Sequence, residues 1–77
     1  MKTTIYFERD VLSKRPYLRH QLVDVAAVVA RPIHEVEQPN GRFRRWGWVG
    51  GEIYRVVVVA DGATVHNAFP DPRFEAY

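Results

Sequence analysis

Between Pro39 and Phe69 the chain reads PNGRFRRWGWVGGEIYRVVVVADGATVHNAF, runs of β-branched and aromatic residues cut by three turn pairs, Asn40-Gly41, Gly50-Gly51 and Asp61-Gly62. Each pair can take the positive φ angles of a tight primed turn, whose twist matches that of the flanking strands. A chain punctuated in this way has few options beyond an antiparallel meander. Because side chains alternate faces at every residue, the register follows by counting outward from each turn. Two-residue loops set Trp48 opposite Ile53, Trp46 opposite Arg55 and Arg44 opposite Val57 across the second pair. Across the third they set Val58 against Val65, Val57 against His66, Val56 against Asn67 and Tyr54 against Phe69, and across the first, Glu37 against Arg44 and Glu35 against Trp46.

Two unlike faces result. One collects Val36, Phe43, Val49, Tyr54, Val56, Val58, Val65 and Phe69, an apolar surface for helices to cover. The other collects Glu35, Glu37, Arg42, Arg44, Trp46, Trp48, Arg55 and His66, with Val57 and Val59 between them. The unbroken apolar run at residues 56–59 marks a central strand with some cover on both sides. A one-residue bulge in any hairpin would exchange part of these two sets.

Upstream, residues 3–7 (TTIYF) are β-prone and read as a first strand, with Ile5 and Phe7 on one face and Tyr6 on the other. Asp10 can cap a short helical stretch over residues 11–15, which Pro16 interrupts. Leu18, Leu22, Val25, Ala26 and Val29 recur at helical spacing and predict the covering helix. It should end near Ala30, because Pro32 restricts Arg31. Pro70-Asp71-Pro72 should stop the last strand, leaving a short tail that folds back through Phe74, and Asn67 should face the core with a partner near Asp71 or the helix. The expected fold is α+β, one domain over residues 1–77: an N-terminal strand and helices packed on one face of an antiparallel three- to four-stranded meander.

A chain of 77 residues buries only about 60–65% of the surface its unfolded form exposes, so its stability margin should be thin. There is no cysteine, hence no disulfide framework and no thiolate nucleophile. The longest apolar stretch, residues 22–30, is too short for a bilayer and is broken by Asp24, and the N-terminus lacks the apolar segment of a secretory signal. A soluble, cytoplasmic protein with no membrane partner is expected. His20, His34 and His66 are widely spaced without cysteine companions, so neither a metal site nor another cofactor is expected. Gly47-x-x-Gly50-Gly51 lies in a hairpin and is not a phosphate loop, and there is no nucleophile elbow.

The net charge is +2, and every basic residue except Lys2 is an arginine or adjoins one. Arginine favours phosphate or carboxylate recognition through its planar fork. With nine acids present, a solvated mixed surface is the alternative. Lys14, Arg15 and Arg19 crowd the start of the covering helix, either to grip phosphate or to be neutralised by Glu8 and Asp10. RNA cleavage through its own 2′-hydroxyl needs a base, a cation for the phosphorane and an acid for the leaving oxygen. Arg55 and Arg44 can be the cations, His66 the acid or base, and Glu35 or Glu37 a second base. Trp46 and Trp48 can stack on unpaired bases beside Arg42. Each has a structural alternative: a cross-strand cation–π pair for Trp46 and Arg55, an ion pair for Glu37 and Arg44, a packed histidine for His66. A surface rich in arginine and tryptophan equally suits a protein-binding module or a homodimer.

The stretches RFRRWGWVGG and YRVVVVADGATVHNAFPDPRF resemble a family of small bacterial domains with the pattern R-x-W-G, then L-R-V-V, then D-G-x-T-V-H-N-A-F. The resemblance runs from about Ile5 to Phe74. Arg45-Trp46-Gly47, Arg55-Val56-Val57, Asp61-Gly62 and residues 65–69 carry it. It departs at Gly50-Gly51, where a longer insertion is expected, and at Pro72. That family is distantly similar to the RelE-like toxins, which share the strand, helices and meander order and include ribonucleases of toxin–antitoxin pairs. The similarity implies a reaction class, mRNA cleavage on the ribosome, and an acidic antitoxin-like partner. No catalytic motif of those toxins is matched residue by residue.

Overall fold

The computed structural model describes residues 1–75 and has an α+β fold: two helices and a four-stranded antiparallel meander. A π-helical segment (Phe7–Val11) runs into a single α-turn, α1 (Leu12–Lys14). A 3₁₀ turn (Pro16–His20) leads to α2 (Leu22–Ala30), and then come β1 (His34–Glu37), β2 (Phe43–Val49), β3 (Glu52–Val58) and β4 (Val65–Pro70) in that spatial order. The helices cover one face of the sheet. Phe7, Val11 and Leu12 from the first helical segment, Leu18, and Val25 and Val28 from α2 pack on Val49, Tyr54, Val56, Val58, Val65 and Ala68. The other face carries no helix.

The N-terminal strand is not formed. Only Thr3 bridges Val65, in parallel, with Thr4 N–H donating to Val65 O and Val65 N–H to Lys2 O, both at 2.9 Å. From Ile5 the chain is helical. Thr4 Oγ1 accepts the Phe7 N–H at 3.1 Å, meeting one of the donors a helix start leaves open. Phe7, Val11, Leu12 and Leu18 then follow helical spacing, and burying that stripe outweighs the weak β-propensity of residues 3–7. Ile5 and Tyr6 stay on the exposed side. The stripe of α2 includes Val28, which is buried.

Of the three turns, Gly50-Gly51 is the expected two-residue loop, with φ of 57° and 83°. Its register matches: Trp48 faces Ile53, Trp46 faces Arg55 and Arg44 faces Val57. At Asn40-Gly41 the loop is one residue longer. Gly41 N–H donates to Gln38 O at 2.9 Å, Gln38 N–H to Arg42 O at 2.7 Å, and Gly41 has φ of 85°, a type I turn closed by a left-handed glycine with Pro39 at its first corner. Glu37 therefore faces Phe43, Glu35 faces Arg45, Val36 faces Arg44 and His34 faces Trp46. Glu35 and Glu37 move to the helix side, and Val36 joins the open face.

The third turn spans residues 60–63, closed by Val59 N–H to Thr64 O at 2.9 Å. The Asp61 carboxylate organises it, accepting the Thr64 hydroxyl at 2.5 Å and the Ala63 and Thr64 N–H groups at 2.8 Å each. Those bonds, the Thr64 hydroxyl foremost, hold its pKa down at about 2. Val58 meets Val65 as expected, but a bulge at His66 then shifts the ladder: Val57 faces Asn67, Val56 faces Ala68, Arg55 faces Phe69 and Tyr54 faces Pro70. Phe69 and Asn67 thus belong to the open face, and Ala68 takes the core position. Asn67 Oδ1 accepts the adjacent Ala68 N–H at 2.9 Å rather than reaching Asp71. β4 ends at Pro70, inside the expected Pro70-Asp71-Pro72 stop, with one further bond from Asp71 N–H to Ile53 O at 2.9 Å.

Two polar contacts pin α2 to the sheet. Asp24 Oδ2 accepts the Gly50 N–H at 3.0 Å, and Arg45 Nη1 donates to Val29 O at 2.9 Å and to Gly62 O at 2.8 Å, satisfying a carbonyl of the helix end. Between them the helix comes so close to β2 that a Cβ at Gly47 would lie 2.6 Å from Val28 Cγ2. Gly47→Ala should therefore cost about 1–3 kcal/mol in urea unfolding, through overpacking. Val28→Ala, destabilising alone, should recover part of that loss in the Gly47→Ala background, and additive losses would show that the two positions do not meet.

Candidate functional site

The helix-free face is built from alternate residues of all four strands. Across the sheet, one row is His34, Trp46, Arg55 and Phe69, and the next is Val36, Arg44, Val57 and Asn67. Trp48 and Ile53 extend the face at the tip of the β2–β3 hairpin. Five of the six expected site residues project from this face or its border through strand parity, and His66 reaches the border through the bulge.

Trp46 and Arg55 form the most ordered part. The Arg55 guanidinium carbon lies 5.7 Å from the Trp46 ring and 5.1 Å from the Phe69 ring, so aromatic groups on both neighbouring strands hold it. Asp71, just beyond β4, turns a single oxygen toward both. Its Oδ2 accepts Trp46 Nε1–H at 3.0 Å, Arg55 Nη2–H at 3.2 Å and Arg55 Nε–H at 3.3 Å. The indole N–H first, and then Arg55, keep the Asp71 carboxyl below the usual range. Phe74 folds back as expected and stacks on Trp46, with centroids 4.9 Å apart and planes 17° from parallel; His34 lies 5.4 Å away. Trp46 is consequently 6% exposed, while Trp48 on the same face is 61% exposed. The structural alternative for Trp46 and Arg55, a cross-strand cation–π pair, describes their geometry, with Asp71 and Phe74 added to it.

His66 stands at the other end of β4. Tyr6 stacks on its ring at 4.8 Å, and Thr4 Oγ1 lies 3.1 Å from Nδ1. Because Thr4 Oγ1 already accepts the Phe7 N–H, its second lone pair or its proton can meet Nδ1 in either tautomer. Burial, and secondarily the charge of Arg42, push the His66 pKa below its ordinary value. Arg44 pairs across to Val57, and with the Gln38 amide turned so that its oxygen faces the guanidinium, that oxygen accepts Arg44 Nε–H and Nη2–H at 3.1 Å each. The three residues expected to be catalytic are thus divided: Arg55 on β3, opposite the C-terminal half of β4 and paired with Asp71, His66 at the N-terminal end of β4 with Tyr6 and Thr4, and Arg44 on β2. The structure brings Arg42, rather than Arg55, into the field of His66. Glu35 is committed to Arg45, whose Nε donates to its Oε2 at 3.1 Å, and Glu37 faces Phe43.

Thr4, Tyr6, Gln38 and Asp71 were not singled out from the sequence. Thr4 and Tyr6 were read as strand, and Asp71 as part of a strand stop. The Asp71 signal is a carboxylate with proline on either side at the end of an edge strand, a backbone with little freedom. Among the described residues no three His, Cys, Asp or Glu side chains are grouped so as to hold a metal ion, and no helix is long and apolar enough to cross a membrane. The chain matches no family model, no curated protein and no solved structure.

The His66 titration gives a direct check on this arrangement. In NMR, its midpoint should fall below 6.5, and Arg42→Ala should raise it without restoring the full value, because burial is the larger cause. The unfolded state binds this proton more readily than the folded one, so stability should fall as pH drops through 6.5 toward the folded midpoint. His66→Gln should remove that part of the loss between pH 7 and 5.5. An unshifted midpoint, or the same acid-side loss in His66→Gln, would contradict the geometry.

Proposed function

We propose that the helix-free face binds single-stranded RNA and that the domain acts as a cytoplasmic ribonuclease of the toxin–antitoxin type with a RelE-like layout. The observation that carries this reading is one face where register sets Arg44 and Arg55 beside Trp46 and exposed Trp48, with the charge of Arg42 acting on His66, a histidine of lowered pKa. Guanidinium groups suit phosphates, and an exposed indole on a strand suits an unpaired base, a contact worth about 1–3 kcal/mol.

Neutral at pH 7, His66 is the base: its Nε2 takes the proton of a ribose 2′-hydroxyl while Nδ1–H is held by Thr4 Oγ1. The 2′-oxygen bonds to the adjacent phosphorus, the bond from phosphorus to the 5′-oxygen breaks, and that oxygen leaves with a proton from water. Arg42 and Arg44 carry the charge that builds on the phosphorane oxygens. Arg55 contributes to binding rather than to this step, since its charge is met by Asp71. An mRNA presented on the ribosome is the substrate class, and an acidic antitoxin-like protein covering the arginine face is the matching partner.

A second reading has its own observation. Val36 and Trp48 are exposed apolar side chains on this face, Ile33 is exposed just before β1, and Trp46 and Arg55 already find partners within the chain. A protein-binding module, or a homodimer joined through the face, would present such a surface.

Induced expression in a heterologous bacterium separates the two, because it supplies ribosomes. Wild type should arrest growth, His66→Ala and the Arg42→Ala/Arg44→Ala pair should relieve the arrest, and circular dichroism should show all of them folded. Equal growth in every strain would put the binding module ahead. Arrest by wild type and His66→Ala alike would remove His66 from the chemistry.

A further inference from the structure

Resting on the RNA-binding reading, we infer that Trp46 and Arg55 form a nucleotide subsite which the chain's own tail fills, the Asp71 carboxylate standing where a phosphate binds and the Phe74 ring where a base stacks.

The donor set is that of an anion site. Three N–H groups from two side chains converge on one Asp71 oxygen at 3.0–3.3 Å, and they come from β2 and β3, in the middle of the sheet. The guanidinium is oriented before any ligand arrives, since the rings of Trp46 and Phe69 hold it from the flanking strands. Donors placed in this way by rigid elements select a tetrahedral or carboxylate oxyanion, and the tail supplies the carboxylate.

The stacking position lies beside it. Phe74 is nearly parallel to the Trp46 indole at 4.9 Å, the geometry a nucleobase takes on an aromatic platform. Phe74 also lines a cleft of about 250 Å³ with Trp48, Ile53 and Pro70, which Trp46 does not line. The ring therefore both covers the Trp46 indole and borders that cleft, so its removal uncovers the indole. Anion site and stacking surface thus adjoin on Trp46 itself, whose N–H and whose ring face are taken by residues three apart in the tail.

Beyond the Asp71 contacts, Asp71 N–H donates to Ile53 O, Phe74 N–H donates to Asp71 O at 3.2 Å, and Phe74 meets Trp46 and His34. A nucleotide that presents both a phosphate and a base replaces the two principal interactions with their equivalents. Wild-type affinity is then reduced by the fraction of molecules in which the tail covers the site.

Trp48→Phe leaves Trp46 as the sole tryptophan, so its fluorescence reports on the covered ring. In that background, uridine 5′-monophosphate and a short oligouridylate should quench Phe74→Ala at concentrations about tenfold or more below those needed without the tail change. Arg55→Ala added to Phe74→Ala should erase the gain. Asp71→Asn loosens the other end of the tail and should act in the same direction, and it decides the matter if Phe74→Ala does not fold. Oligouridylate bound equally with and without the tail changes would overturn the subsite while leaving the RNA reading in place. The mononucleotide binding the tail variants with no RNA bound would sink the RNA reading and keep the subsite. No quenching by either probe in any variant would remove both.

Discussion

The side chain of Arg45 ties β2 to β1, to the end of α2 and to the β3–β4 turn. It is 12% exposed; its Nε donates to Glu35 of β1, and its Nη1 donates to the carbonyls of Val29 in α2 and Gly62 in the β3–β4 turn. The guanidinium also lies 5.2 Å from the Phe43 ring. A charge so shielded is tolerable because each bond is charge-assisted, worth about 1.5–3 kcal/mol where a neutral bond gives about 1. Without it, two carbonyls and a carboxylate on the helix side would lose their donor together. The helix end, the edge strand and the last turn depend on one fork of N–H groups, and that fork comes from β2, the strand that also carries Arg44 and Trp46 on its opposite side.

Strand parity thus separates the arginines by role. Arg45 points toward the helices and does structural work, while Arg44 and Arg42 point away from them. The alternation that makes this division was readable from Gly50-Gly51 outward, because a two-residue primed turn leaves only one register. It failed where the loop was longer than its glycine pair. Pro39 set up a type I turn, the left-handed Gly41 closed it one residue later, and that single residue carried Glu35 and Glu37 to the other side. The bulge at His66 had the same effect on Asn67, Ala68 and Phe69. No local signal marks it: Val65-His66-Asn67 is an ordinary strand sequence, and the bulge accommodates the contact of His66 with Tyr6 and Thr4, sixty residues earlier in the chain.

The candidate site was legible to a similar extent. Trp46 and Arg55 were paired correctly because both lie within the well-determined hairpin. Their connection to Asp71 and Phe74 depends on where the chain goes after the last strand, and there periodicity carries no information. The surroundings of His66 were hidden for another reason. Residues 3–7 have β-propensity, and only the burial of Phe7, Val11, Leu12 and Leu18 on a common side makes them helical. Once helical, they place Tyr6 over the histidine ring, which a strand reading could not anticipate.

A sheet with helices on one side only must leave its other side to solvent, to a partner or to its own chain. Here the three solutions are distributed along the strands. Arg42, Arg44 and Trp48 meet solvent in part or in full, Val57 is half-buried, and Trp46 meets the tail segment 71–74 through Phe74 and Asp71. Those four residues give the small domain apolar burial it would otherwise lack, in a chain whose size allows little margin. They do so with one ring and one carboxylate, groups that interact with Trp46 and Arg55 as other aromatic anions would. Stability and availability of this part of the face therefore oppose each other: whatever holds the tail more firmly also makes the indole and guanidinium harder to reach. Arg42 and Arg44, half-buried on the same face, take no part in the contacts that Asp71 and Phe74 make with Trp46 and Arg55, so the opposition is confined to one end of the sheet.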